Sequence, residues 1–331
     1  MRASCLKYLT ISIAMTSALV TVSGFARAEA LPETANKTQY LDSSSIQTAV
    51  GKVTAELREG YVFPDEGKAA AATLEKALAA NAYDGLTDPA AFAKELTEVL
   101  QAATKDSHMR VVYGSPFKNR PAPTTPQDAG FEVERLEHNV GYIRLSKFVP
   151  PDTFNPAADA ALSRISDTSA LIIDMQDNGG GHPASVAYFA SFFFDPAKPI
   201  HINSLVWRNR GSTTFRTESF WTSRTPVQYL DKPVYVLVGP KTYSAGEEFA
   251  YDLQVLKRAT VVGAKTRGGA NPGGLTEIGP DLFVVVPTGR AENPTTQSNW
   301  EGVGVVPDVS ISPDAARQTA MALASGQPAS K

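Results

Sequence analysis

Ser244 carries the clearest chemistry in the 331-residue chain. It lies in Pro240-Lys241-Thr242-Tyr243-Ser244-Ala245-Gly246-Glu247-Glu248. Before it comes an apolar run of strand length, 234–238; after it Phe249, Leu253 and Leu256 recur at helical spacing as far as Lys257. A serine where a helix begins faces unpaired N–H groups and the positive end of the helix dipole, which favour a developing anion. Ser244-x-x-Glu247 is equally a capping box, so the local pattern alone allows a nucleophile or a cap.

A serine hydroxyl attacks only when a neighbour takes its proton. Of the four histidines, His108, in Asp106-Ser107-His108, is the best base. An ordinary imidazole pKa of about 6.5 predicts a rate that falls on acidification through that value. His138, in a strand beside an asparagine turn, and His201, opening a strand, read as structural; His182, after three glycines, stands where it can line a cleft. Glu301 can orient His108 or Ser107 as the acid of a triad does, although a solvent-facing loop acid would look the same. Glu247 is already explained by the cap. Gly179-Gly180-Gly181 can bring bare backbone N–H groups to a substrate and form an oxyanion hole with the N–H of Ala245. A tight strand–helix turn is the plainer use; a phosphate loop is disfavoured because no Gly-Lys-Ser/Thr follows.

Elements must hold these groups together. Helical patterns fall at 46–57, preceded by Ser43-Ser44-Ser45, and at 65–80 and 89–103, predicting a small helical N-terminal domain over 43–104. A strand is expected at 109–113, then a linker over 115–130 with Pro116, Pro121, Pro123 and Pro126. Strands are predicted at 131–136, 140–148, 170–174, 202–207, 213–220, 234–238, 259–263 and 282–286. Helices are predicted at 155–166, 183–194 and 314–324. Continuous apolar strands followed by helices indicate parallel strands buried on both faces, hence an α/β core. Residues 267–274 and 289–299 read as loops, and the catalytic unit as 105–311, followed by a helix and tail over 312–331.

The first residues read as an export signal. Arg2 and Lys7 precede an apolar stretch too short for a convincing membrane anchor, and cleavage is expected after Ala28 or Ala30, leaving a leader to residue 42. Cleavage after Ala28 takes Arg2, Lys7, Arg27 and the single cysteine, moving the net charge from −3 to −6. That leaves no disulfide and no thiolate nucleophile. No basic cluster indicates nucleic acid. The expectation is a periplasmic protein without a stable membrane anchor.

Four stretches in order resemble the tail-specific (C-terminal processing) serine peptidases. Residues 171–181 look like their D-x-R-x-N-x-G-G strand and loop, 242–247 their nucleophile motif, 140–145 the opening strand, and 300–308 the closing motif. Tyr61-Val62-Phe63-Pro64 and Asp106-Ser107-His108 are similar to bacterial relatives of interphotoreceptor retinoid-binding protein, and the Ser-His pair resembles that of the tricorn core. The resemblance implies a helical N-terminal domain before a crotonase/ClpP-like spiral α/β core. It also implies a Ser244 acyl-enzyme with His108 as base, Ser107 and Glu301 orienting it, and an oxyanion hole from Gly179 or Gly180 with Ala245. Peptide or protein substrates are implied, and no metal or organic cofactor. Two departures stand out. The linker leaves no room for a PDZ domain, and Arg267-Gly268-Gly269-Ala270 stands where the family has its dyad lysine, with Lys265 the nearest alternative. A hydrophobic-ligand binder on the same fold is the rival reading, through the aromatic helix of Tyr188, Phe189, Phe192, Phe193 and Phe194; hydrolysis of a non-peptide acyl compound is a third. Oligomeric state and substrate identity are left open by the sequence.

Overall fold

The computed structural model describes residues 40–114 and 129–326. The export signal, nearly all of the leader, most of the proline-rich linker and the end of the tail lie outside the described residues.

Three amphipathic helices open the described chain. In α1 (Ser43–Gly60) Ile46, Val50, Val53 and Leu57 form the buried stripe, and the Asp42 carboxylate caps the first turn by accepting the Ser45 N–H at 2.7 Å. Helices α2 (Pro64–Ala79) and α3 (Pro89–Thr104) each begin at a proline, whose missing N–H costs nothing in a first turn. Their core is completed from the far end of the chain. Strands β1 (Arg110–Tyr113), β9 (Gly273–Gly279) and β10 (Leu282–Pro287) form an antiparallel sheet in the order β1-β10-β9. Ile278, Leu282, Val284 and Val286 from this sheet pack among Leu57, Leu74, Phe92 and Leu96.

The main sheet has six strands, β12-β8-β7-β4-β3-β2. These are β2 (Phe131–Leu136), β3 (Val140–Leu145), β4 (Ala170–Asp174), β7 (Val234–Val238), β8 (Thr260–Gly263) and β12 (Val309–Ser310). Only β2 runs antiparallel to its neighbour. Alternation along the strands divides two cores. Ile143, Leu171, Ile173, Val236 and Val261 meet α4 (Pro151–Ser163), α5 (Pro183–Ser191) and α6 (Ala245–Val255). Tyr142, Ile172, Leu237 and Val262 meet Ala316 and Ala320 of α7 (Pro313–Ala324). The chain is thus mixed α/β, with helices on both faces of a largely parallel sheet, as the strand pattern implied.

A third sheet, β11-β5-β6, is made of β5 (His201–Arg208), β6 (Phe215–Trp221) and β11 (Gly289–Glu292). Strand β11 replaces expected loop, and β9 begins at the end of the expected 267–274 loop and runs on to Gly279, where the sequence pattern predicts no element. Both are rich in glycine and polar residues, so their own composition gives no strand signal; pairing to apolar partners orders them. Helix α5 ends at Ser191, short of Phe194. Phe189 and Phe192 are fully buried in the core, and their rings pack on Phe249 and Tyr188. Among the described residues no helix is long and apolar enough to cross a membrane.

Candidate active site

The loop from β7 to α6 is held at both ends. Thr242 Oγ1 donates to the Met175 carbonyl at 2.8 Å and accepts the Gly239 N–H at 3.0 Å. The Tyr243 N–H donates to the Asn178 carbonyl at 2.9 Å, pinning this turn to the glycine loop. Ser244 is forced to φ 54°, ψ −123°, a backbone region costly for any residue with a Cβ. Such strand-to-helix elbows expose a hydroxyl above a sheet. The Ser244 N–H donates to Glu247 Oε2 at 2.9 Å, while the Glu247 N–H is taken by the Ser244 carbonyl at 2.8 Å. Glu247 and Ser244 thus form the reciprocal capping box, the Ser244 side chain facing the Glu247 N–H, and among the described residues the Ser244 hydroxyl donates to no acceptor.

Glu247 does more than cap. It is fully buried, and its two oxygens also accept from the Thr266 hydroxyl and the N–H groups of Gly268 and Gly269, at 2.5–2.9 Å. Burial raises its carboxyl pKa and these donors oppose the rise. One side chain thus fixes the 266–269 loop to the elbow.

The glycine loop lies against Ser244. A Cβ on Gly180 would sit 2.7 Å from the Ser244 Cβ, and Gly180 itself has φ +98°, so glycine is required twice over. Asn178 shapes this loop: its Nδ2 donates to the Leu145 carbonyl at 3.0 Å and its Oδ1 accepts the Gly180 N–H at 2.8 Å. Of the three candidate oxyanion donors, Gly180 is therefore engaged, while the N–H groups of Gly179 and Ala245 have no partner among the described residues.

His108, Ser107 and Glu301 come together on the other side of Tyr243. The His108 ring stacks on the Tyr243 ring, centroids 4.5 Å apart and planes at 28°. The Tyr243 hydroxyl meets Ser107 Oγ at 2.9 Å, and Arg267 covers the tyrosine ring with its guanidinium carbon 4.6 Å from the centroid. Ser107 Oγ also donates to the Gly268 carbonyl at 3.3 Å. Asp106, 1% exposed, accepts the His108 backbone N–H, the Asn271 amide and the Tyr61 hydroxyl. Glu301 accepts the Ala270 N–H. Asp106, His108 and Glu301 each put one ligand-type atom within 4.8 Å of the others. No hydrogen bond joins His108 to Ser244; Tyr243 is the residue that touches both halves of the site.

Burial dominates the electrostatics. His108 is 8% exposed, with its Nδ1 enclosed and unbonded. Desolvation first, then the charges of Arg110 and Arg267, lower its pKa to about 4. The ordinary value of about 6.5 expected above is thus replaced by an imidazole that stays neutral well into acid. Burial, then the neighbouring Asp106, push Glu301 up to about 7. Its Oε1 is enclosed without a partner. Burial also lifts the Tyr243 phenol to about 12.

The alternative bases are elsewhere. Lys265 is exposed. Gly269 leaves no room for a side chain, since a Cβ there would lie 2.3 Å from the Tyr243 ring: the tyrosine fills the seat a lysine would need. His182 caps α5, accepting the Ala184 N–H at 3.2 Å; His201 stacks on Trp221 and bonds Ser204 Oγ at 2.8 Å. Tyr243, Asp106 and Asn271 were not singled out as site residues. Adjacency to Ser244 and to Ser107-His108 was the available signal for the first two; nothing in the sequence pointed to Asn271.

The chain belongs to peptidase family S41. The model of that family matches residues 139–311, and the N-terminal domain of peptidase S41 in eukaryotic IRBP matches residues 29–139. Carboxyl-terminal-processing peptidase 2, chloroplastic, of Arabidopsis thaliana is 29% identical over 175 residues, 51% of this chain and 31% of that protein. The carboxyl-terminal-processing protease of Synechocystis is 30% identical over 186 residues, 56% of this chain and 40% of that one. The chain thus spans less than half the length of these relatives. A crystal structure of a protein from Parabacteroides merdae shares the fold at TM-score 0.58 and 20% identity, over 86% of this chain and 93% of that one. The photosystem II D1 C-terminal processing protease does so at 0.54 and 15%, over 82% and 94%.

Proposed function

We propose that the protein is an exported serine peptidase in which Ser244 is the nucleophile and His108 the general base. The observation that carries this reading is the strained Ser244 at the head of α6, whose hydroxyl donates to no acceptor among the described residues, where the N–H groups of Gly179 and Ala245 also have no partner. Ser244 Oγ attacks the scissile carbonyl carbon and its proton passes to His108. The carbonyl oxygen, now negative, is held by the N–H groups of Gly179 and Ala245, an interaction worth a few kcal/mol of barrier in such sites, on the order of 3. His108 returns the proton to the departing amine, and water then cleaves the acyl-enzyme with His108 again as base. Ser107 and Glu301 are positioning residues, acting on His108 through Tyr243 and the 268–270 backbone. Because apo sites are often open between base and nucleophile, substrate binding is required to close the His108–Ser244 gap.

A fluorophosphonate should label the mature protein at Ser244, read by peptide mapping. Ser244→Ala should abolish labelling and peptide hydrolysis. His108→Ala should slow both by about 100-fold or more, and Lys265→Ala should change neither. Unchanged labelling in His108→Ala, or loss of activity in Lys265→Ala, refutes the assignment of the base. The signal at 1–28 supports export; periplasmic protein should begin at Glu29 or Leu31, and a retained Met1 would oppose it.

A further inference from the structure

A cleft of about 650 Å³ opens in front of Ser107, Gly179 and Tyr243. Four cations line it, Lys94, Arg110, Lys241 and Arg267, against one acid, Glu98. The two lysines have partners: Lys94 lies 3.7 Å from Glu98 and Lys241 lies 3.1 Å from Asp177. The two arginines do not, and neither forms an ion pair among the described residues. Among the described residues Arg110 donates only to the His108 carbonyl, at 3.2 Å, and Arg267 rests its guanidinium on the Tyr243 ring. Each guanidinium has five N–H donors in a fork that matches a carboxylate. Two such forks, with donors that no described residue takes up, in a cleft that touches the site, make an anion-binding wall.

We propose that this cleft selects substrates by a carboxylate, held by Arg110 and Arg267, so that acidic peptides are the preferred class. The inference rests on Ser244 and its neighbours being the peptide-binding site.

The test uses the full chain carrying Ser244→Ala and three fluorescein-labelled peptides of one sequence. The first has an internal Glu and an amidated C-terminus, the second Gln and a free C-terminus, the third Gln and an amidated C-terminus. Anisotropy should show at least one of the first two binding about 10-fold or more tighter than the third at about 50 mM salt, with the preference shrinking at about 500 mM. Which of the two wins identifies the carboxylate as side-chain or terminal. Adding Arg110→Gln and Arg267→Gln, singly and together, should bring the ratio to within about twofold of one. The ratio is internal to each variant, so a general loss of affinity does not obscure it. Equal binding of all three peptides, no binding of any, or a preference that survives both substitutions overturns the proposal. Charge-selective binding without hydrolysis by the unmodified protein would instead refute the peptidase reading and leave this one standing.

Discussion

Glu247→Gln isolates the role of one buried carboxylate, because it changes a charge and two donors without changing volume. In the native site Oε1 accepts from the Thr266 hydroxyl and the Gly268 N–H, and Oε2 from the N–H groups of Ser244 and Gly269. A glutamine keeps one oxygen and turns the other into an NH2 group. If the amide faces Ser244 and Gly269, two backbone donors are left pointing at a donor. If it faces Thr266 and Gly268, the hydroxyl can rotate and one backbone donor remains orphaned. Each orphaned buried donor costs about 1–3 kcal/mol, and the surviving bonds lose their charge assistance. The expected destabilisation is therefore about 2–5 kcal/mol, a fall in Tm on the order of 5–15 °C for a chain of this size. Differential scanning calorimetry with denaturant titration at neutral pH reads this directly, and fluorophosphonate labelling reports whether the elbow still presents Ser244. Labelling should fall with stability, since the 266–269 loop and the elbow share the same carboxylate. A variant within about 0.5 kcal/mol of wild type, still fully labelled, would show that the four bonds do not organise the site.

Two further outcomes follow from the same geometry. Ser244→Gly should be inactive yet more stable than Ser244→Ala, by about 1 kcal/mol in denaturant titration: glycine relieves the φ 54° strain, less its own entropic penalty. Equal stability of the two would argue that the elbow is unstrained. With peptide substrate, kcat/KM should hold to about pH 5 and fall as His108 protonates with its lowered pKa of about 4, since only the neutral imidazole can accept the Ser244 proton. A single limb near 6.5 would contradict the burial of His108.

Much of the fold was legible because its signals are local. Apolar runs at 170–174 and 234–238 are strands in any context that buries both faces, and the amphipathic periodicity of the three N-terminal helices is carried by neighbours along the chain. The strands β9 and β11 were not legible, since glycine and polar residues become strand only by pairing with apolar neighbours. The strand–elbow–helix around Ser244 and the Asp106-Ser107-His108 triplet were visible as short patterns. Their relation was not. Ser107 meets Tyr243 across 136 residues and Asp106 meets Asn271 across 165, separations at which no periodicity operates.

The amino-acid sequence by itself determined that a serine would stand at a strand–helix junction near a glycine loop, because chain-neighbour propensities set that geometry. Tertiary structure decided what that serine can use. It seated Tyr243 against Gly269, leaving no space for a lysine, and left the Ser244 hydroxyl proton without an acceptor among the described residues while Glu247 took the Ser244 N–H. It buried His108 beside two arginines, so that its basicity is set by solvent exclusion and by charges distant in sequence, terms that depend on three-dimensional position.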